Sequence, residues 1–303
     1  MKKFKAEGAL LLTTLLWGVT FVIIKISLMK VSPLLFVSLR FTIATLILLP
    51  FIFPVIKISS LEALKGGVIL GLLYFTGFAT QTVGLNYTTA TKSGFITGTF
   101  VMFTPVVQLV IEKRKPRKEN IFGMLLVLAG LIFLSSKGSS YFDILSEIGG
   151  NFNLGDFFTL LCALSFAFYI VYLDIVSKKY DYKLLVFMQI AVTGICSLFF
   201  VLILSGIGFE PIRFSINGQV IFTVLYTALF ATIVATTLQT KFQNAVSPTK
   251  AAIIFSLEPI FAAVFAFFII NEKISNFGFV GCIFIFTGLL VSELMGKRNN
   301  DSE

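Results

Sequence analysis

The chain has 303 residues, 57% of them hydrophobic and 13% charged, a balance that excludes a water-soluble globular domain of this size. It contains no histidine, so the side chain most used for proton shuttling and metal ligation is missing, and any proton chemistry falls to carboxylates. The net charge of +9 sits in short basic clusters between apolar runs, which points to orientation in a membrane and not to nucleic acid.

The N-terminal MKKFKAEG leads into an apolar run that is too long for a signal peptide and lacks a small-residue cleavage site near its end, so a retained first span is expected. Stretches near the roughly 20 apolar residues that a helix needs to cross the hydrocarbon layer recur along the chain. They predict spans at 8–29, 33–53, 66–85, 93–111 and 120–134, then at 157–176, 184–205, 220–239, 251–270 and 277–294. Runs this long, without the alternation of barrel strands, argue against a transmembrane barrel. The predicted fold class is an all-α integral membrane protein of ten transmembrane helices. Residues 138–155, with Asp143, Glu147 and several glycines and serines, read as an extracytoplasmic linker between a first five-helix repeat (1–137) and a second (156–303) that ends in a short cytoplasmic tail. With both termini in the cytoplasm, 17 of the 24 lysines and arginines fall on the inner side, among them the cluster Lys113, Arg114, Lys115, Arg117 and Lys118. Lys25, Lys30, Lys92, Lys137, Arg213 and Lys273 fall outside, and Arg40 lies within a span. The positive-inside rule therefore predicts a multi-pass protein of the cytoplasmic (inner) membrane with cytoplasmic termini.

The halves repeat. LLYFTGFAT (72–80) aligns with VLYTALFAT (224–232), pairing Tyr74 with Tyr226 and Thr80 with Thr232. At a second constant offset Lys92 aligns with Lys250, Gly123 with Gly281 and Gly130 with Gly288. A repeat of five spans re-enters the membrane from the opposite side, so the halves are inverted, an architecture of secondary transporters.

The motifs LLWGVTFVIIK (15–25), SLRFTIATLILLP (38–50), TTATKSGFITGTFVMFTP (88–105) and TKAAIIFSLEPIFAAVFAFFIINEKIS (249–275) resemble, in order and over essentially the whole chain, the EamA family of the drug/metabolite transporter superfamily. The last stretch is similar to one that ends in that family in a short Gly-Glu-Arg turn. Here the turn reads Asn271, Glu272, Lys273, and the first half carries KRKPRK in the matching place. The resemblance implies a ten-helix inner-membrane carrier, often an exporter of amino acids or other small metabolites. It also implies a central cavity lined by spans one to four and six to nine, with spans five and ten peripheral.

Few polar side chains lie inside the spans. An unpaired arginine at the depth of Arg40 costs roughly 3 kcal/mol on insertion scales. Either its planar fork binds a substrate carboxylate, or it ties helices together by capping carbonyls or pairing with a carboxylate. Glu258 is the one carboxylate near mid-membrane and precedes Pro259, which removes a helix hydrogen bond and permits a kink. It is the candidate for proton coupling or for a cationic substrate contact; otherwise it is a buried partner of Arg40 or a protonated group bonded to a neighbouring helix. Pro105 takes the kink role in the fourth span, one turn out of register and without a carboxylate. Gln81, Asn86, Gln108 and Gln239 line the cavity or bond a neighbouring helix. Trp17, Tyr74, Tyr169, Tyr172 and Tyr226 form an aromatic wall or anchor at the interfaces, and Gly18 beside Trp17 lets another helix approach. Lys25 and Asp174 snorkel to the interface. Cys162, Cys196 and Cys282 stand alone in apolar runs and read as packing residues.

The expected substrate contacts are therefore Trp17, Arg40, Tyr74, Gln81, Tyr169 and Tyr226, with Glu258, Pro259 and Pro105 in coupling or gating. No GxxxxGK[ST] loop is present, so ATP hydrolysis by this chain is unsupported, and neither cofactor nor metal is implied. The expectation is a secondary carrier, not an enzyme, that exports small metabolites such as amino acids by alternating access, driven by proton coupling or exchange. Its partners are a small-molecule substrate and membrane lipids. A channel or a non-transporting sensor is the alternative, and a membrane enzyme would need a cluster of carboxylates or histidines at one depth.

Overall fold

The computed structural model describes residues 2–57, 59–116, 118–135, 153–208, 210–271 and 275–298. Nearly all of these are helical, because in lipid each helix satisfies its own backbone groups. The first half runs through α1 (Lys2–Ser27), α2 (Pro33–Lys57) and α3 (Leu61–Tyr87). It continues through α4 (Ala90–Gly98) and α5 (Phe100–Glu112), two segments of one interrupted span, to α6 (Lys118–Ser135). In the second half come α7 (Leu154–Ser177), α8 (Tyr182–Gly206) and α9 (Gly218–Tyr226), which continues through a π-helical segment (Thr227–Val234) into α10 (Ala235–Phe242). The interrupted span α11 (Pro248–Phe255) and α12 (Glu258–Ile270) follows, then α13 (Asn276–Arg298). Eight spans among the described residues are long and apolar enough to cross a membrane. The other two predicted spans are α6 and α13, which pack against each other. Most of the predicted linker, 138–152, and the turn residues Glu272 and Lys273 lie outside the described residues.

Polar residues between the apolar runs set the helix starts. Side-chain oxygens of Ser60, Thr89, Asn217 and Ser247 accept the backbone N–H three residues on. Asn153 and Asp156 cap α7 reciprocally at 3.0 and 2.9 Å. The interrupted spans end alike: Lys113 (φ 56°) and Asn271 (φ 54°) are left-handed, and the offset that pairs Lys92 with Lys250 pairs them too. The first-half match that KRKPRK blurs is thus preserved in the backbone. A lysine in this conformation costs about 1–2 kcal/mol, whereas asparagine tolerates it.

Helix neighbours repeat as well. Spans α2 and α8, α4–α5 and α11–α12, and α6 and α13 each pack on their own counterpart, while α3 lies on α7 as α9–α10 lies on α1, and α5 lies on α7 as α12 lies on α1. This is the contact pattern of a two-fold relation between the halves. In the α6–α13 pair the helices touch at glycine: a Cβ on Gly130 would stand 2.7 Å from the Gly281 carbonyl oxygen, and one on Gly288 2.6 Å from that of Gly123. Phenylalanines and leucines such as Phe51, Leu202 and Phe268 stay exposed on the outside, as lipid-facing surfaces require. At one end the connections before α2 and α9 are joined, Ser32 N–H to the Arg213 carbonyl and Ser215 N–H to the Lys30 carbonyl, both at 3.0 Å. There the Glu210 carboxylate accepts the Leu34 N–H at 3.2 Å, and burial pushes its pKa up.

Candidate functional site: a cavity between two interrupted spans

Both interrupted spans break at the same repeat position. Thr99 separates α4 from α5, and Ser256 and Leu257 separate α11 from α12. At each break the chain tightens to bonds three residues apart, Met102 N–H to the Thr99 carbonyl at 2.9 Å and Ile260 N–H to the Leu257 carbonyl at 3.0 Å. Pro259, at the start of α12, has no N–H to continue the helix. The first half has Val101 at the matching place, and there the Thr99 hydroxyl donates to the Ile96 carbonyl at 2.6 Å. Pro105 lies inside α5, beyond the break. The break is therefore a property of the repeat, and proline accounts for only one copy.

Against these breaks lies a partly open cavity, with about 410 Å³ of non-atom space including the solvent at its mouth. Its aromatic lining is Trp17, Phe78, Phe100, Phe166, Tyr169 and Phe255, and its polar lining is Thr20, Gln81, Gln239 and Glu258. Setting α1–α2 over α7–α8 at one constant offset pairs Trp17 with Phe166, Thr20 with Tyr169 and Arg40 with Gln189, while the offset of the interrupted spans pairs Phe100 with Glu258. Three pairs of repeat counterparts thus face one space. Sequence reasoning picked out Trp17, Gln81, Gln239, Tyr169 and Glu258, and missed the phenylalanines and Thr20. The signal for Phe100 was there, since it occupies Glu258's place in the other half.

Arg40, Tyr74 and Tyr226 stand behind this lining. Arg40 is buried, donates from Nε to the Thr232 hydroxyl at 2.6 Å and from Nη2 to the Ala231 carbonyl at 3.1 Å, and lies over the Phe78 and Phe41 rings. Of the alternatives for Arg40, tying helices together is the one these bonds describe, and its partners are a carbonyl and a hydroxyl; no ion pair joins it to Glu258. The same Ala231 carbonyl accepts Trp17 Nε1–H at 2.9 Å, so one residue of the π segment holds both the cavity tryptophan and the buried arginine. Tyr74 shares a bond with Thr236 at 2.7 Å and packs on Phe78 and Tyr169. Tyr169 donates to Gln189 at 2.7 Å and lies 3.3 Å from Gln239 Oε1. Tyr226 stands in an outer row with Phe222 and Phe230 and donates to the Leu16 carbonyl at 3.3 Å. Gln108 accepts from Thr249 at 2.8 Å, joining the two interrupted spans. Lys25 Nζ caps the end of α3 at the Leu85 carbonyl, 2.7 Å away.

Two ion pairs hold the entrances of the interrupted spans. Lys92 Nζ meets Asp156 Oδ2 at 2.6 Å, and Lys250 Nζ meets Glu7 Oε1 at 2.6 Å. The lysines are repeat counterparts, and the α1–α7 offset that pairs Trp17 with Phe166 also pairs Glu7 with Asp156. One ion pair is the image of the other, and in an inverted repeat the two lie at opposite faces of the membrane.

The EamA-like transporter family model matches residues 4–136 and again residues 153–294. An uncharacterized transporter of Archaeoglobus fulgidus is 34% identical, over 97% of this chain and 87% of that protein. The uncharacterized transporter YoaV of Bacillus subtilis is 23% identical, over 94% of this chain and 95% of its own length. A solved structure described only as a crystal structure of a protein superposes with a TM-score of 0.75 at 17% identity, covering 97% of this chain and 98% of that one, which is a likeness of fold.

Proposed function

Because the chain belongs to the EamA-like transporter family and is a multi-pass membrane transporter, we propose that it is a secondary carrier, not an enzyme, that exports small metabolites such as amino acids or related organic solutes by alternating access. It works in the cytoplasmic (inner) membrane with both termini in the cytoplasm, and its units are the two five-helix halves with a linker between them. The observation that carries this reading is the cavity shared by Trp17 and Phe166, Thr20 and Tyr169, Phe100 and Glu258. A site built from counterparts of two inverted halves opens to one side or the other when the halves exchange conformations.

The ion pairs supply the two closures. Lys92–Asp156 holds α4 to α7 at the outer end and Lys250–Glu7 holds α11 to α1 at the inner end; each transition releases one pair and keeps the other. Trp17, Gln81 and Tyr169 touch the solute. Arg40, Tyr74 and Tyr226 hold those groups in place, and Glu258 beside Pro259 takes up the proton or charge that couples transport. Pro105, inside α5 beyond its break, supplies the kink through which that span gates.

Purified protein in liposomes, screened for exchange of amino acids, organic cations and nucleobases with and without a pH gradient, tests this. A carrier gives flux that saturates with solute and responds to the gradient. Flux that rises linearly with solute identifies a channel, and binding without flux a sensor.

A further inference from the structure

Within that carrier reading, on which this inference rests, we infer that the solutes are narrower than amino acids at large: the cavity takes a small organic cation, a protonated amine on an apolar or aromatic body, in preference to a zwitterion, with the Glu258 carboxylate as its counter-ion. Glu258 is the only charged side chain of the lining. It is 7% exposed, faces the cavity and makes neither hydrogen bond nor ion pair with any described residue. Of the other polar lining groups, Thr20 donates to the Trp17 carbonyl at 2.7 Å and Gln239 donates to Gln243 at 2.9 Å, and Gln81, with a 3.5 Å contact to Thr97, is uncharged. A buried carboxylate with no donor is an acceptor left for a ligand, and a cation satisfies its charge and its lone pairs together.

Arg40, the charged residue within the second span, does not serve it. Arg40 lies behind Phe78, with its Nε and Nη2 hydrogens turned to Thr232 and Ala231. The guanidinium carbon stands 4.6 Å from the Phe78 centroid, so one aromatic ring of the lining already holds a cation over its face. On the cavity side Trp17, Phe100, Phe166 and Phe255 offer similar faces. An anion would meet the carboxylate with no free positive group opposite, and a zwitterion would leave its own carboxylate unpaired.

Three solutes with the same body and different charge separate the outcomes: 2-phenylethylamine, phenylalanine and 3-phenylpropionate, at pH 7. Trp17 is the sole tryptophan and lines the cavity, so its emission in the purified full chain reads occupancy. The amine is expected to change that emission saturably and to bind at least about tenfold more tightly than the other two, a difference of about 1.4 kcal/mol. Glu258→Gln is expected to lose that preference and Glu258→Asp to keep most of it. Equal or tighter binding of phenylalanine or phenylpropionate overturns the inference, as does a folded Glu258→Gln protein that binds the amine like the parent. If Glu258→Gln does not fold, the charge series on the parent protein still decides. Liposome counterflow of the same three solutes keeps the two readings apart. Exchange of the anion or zwitterion in preference to the amine overturns the cation and leaves the carrier standing. Amine binding without counterflow supports the cation site and removes the carrier, and silence in both assays removes both.

Discussion

Replacing Lys92 with methionine keeps the length and apolar stem of the side chain and removes the charge that pairs with Asp156 at one end of the molecule, one of the two proposed closures. At 2.6 Å from Asp156 the Coulomb attraction is about 6 kcal/mol at an effective dielectric of ~20. Desolvation and the ordering of two side chains offset most of it, and a pair with a buried carboxylate and a partly exposed lysine is left with a net contribution of about 1–2 kcal/mol. Asp156 keeps its bonds from the Thr88 hydroxyl and the Asn153 N–H, both at 2.9 Å, so the cap of α7 survives. The change therefore acts on the closed end and shifts the conformational balance by about 5- to 30-fold. Hydrogen exchange read by mass spectrometry resolves the two ends. In Lys92→Met, peptides around 88–97 and 153–160 should take up deuterium faster while those around 4–12 and 247–256 slow, because opening one end of an alternating carrier closes the other. Lys250→Met should give the mirror result, and the double variant should return towards the parent. If either single variant speeds exchange at both ends, or at neither, the two pairs are not opposed closures and that part of the mechanism is wrong.

Gly288→Leu should drive a side chain into the Gly123 carbonyl and cost about 1–3 kcal/mol, seen as a lower thermal midpoint. The folded fraction should still transport, since α6 and α13 do not line the cavity, and Gly8→Leu, which meets nothing within 4 Å, should be silent in the same melt. Lys113→Gly should stabilise by roughly 1 kcal/mol by relieving a left-handed lysine, and Asn271→Gly by less; a lower midpoint for Lys113→Gly contradicts the cap geometry. Arg40→Lys should lose the Nε bond to Thr232, cost about 1–3 kcal/mol and shift Trp17 emission, because both side chains bond the Ala231 carbonyl. An unshifted emission spectrum would detach Trp17 from Arg40.

The helices were legible because lipid leaves a chain few choices. Apolar runs of sufficient length become spans, and the observed helices differ from the predicted ones mainly at their ends, where caps such as Thr89 and Ser247 add a turn. The π segment was not legible. Tyr226 sits where Tyr74 does in the repeat, yet α3 stays α-helical and the second copy does not, and no residue between 227 and 234 announces it. For the same reason Tyr74 and Tyr226, equivalent by alignment, have unlike surroundings, one fully buried against Tyr169 and the other in an outer aromatic row. The break at Thr99 carries no proline and was hidden, whereas the break before Glu258 was signalled by Pro259. Glu258 itself stood out because a lone carboxylate in a span is costly. Arg40 stood out for the same reason, but depth alone does not say which way a side chain turns, and only the fold shows that its bonds run to a neighbouring helix. The partner acids Glu7 and Asp156 become visible once α1–α2 is set over α7–α8, a register that the matched third and eighth spans did not suggest.

Counterflow tests the central claim most directly. Liposomes containing the protein are loaded with a high concentration of unlabelled solute and diluted into a trace of the labelled form, with no gradient of pH and no ATP. A carrier with one site alternately facing each side accumulates label transiently above equilibrium and then lets it decay, and Glu258→Gln liposomes should lack that peak. Label that rises only to equilibrium, or a peak unchanged in Glu258→Gln, contradicts an alternating site built around that carboxylate.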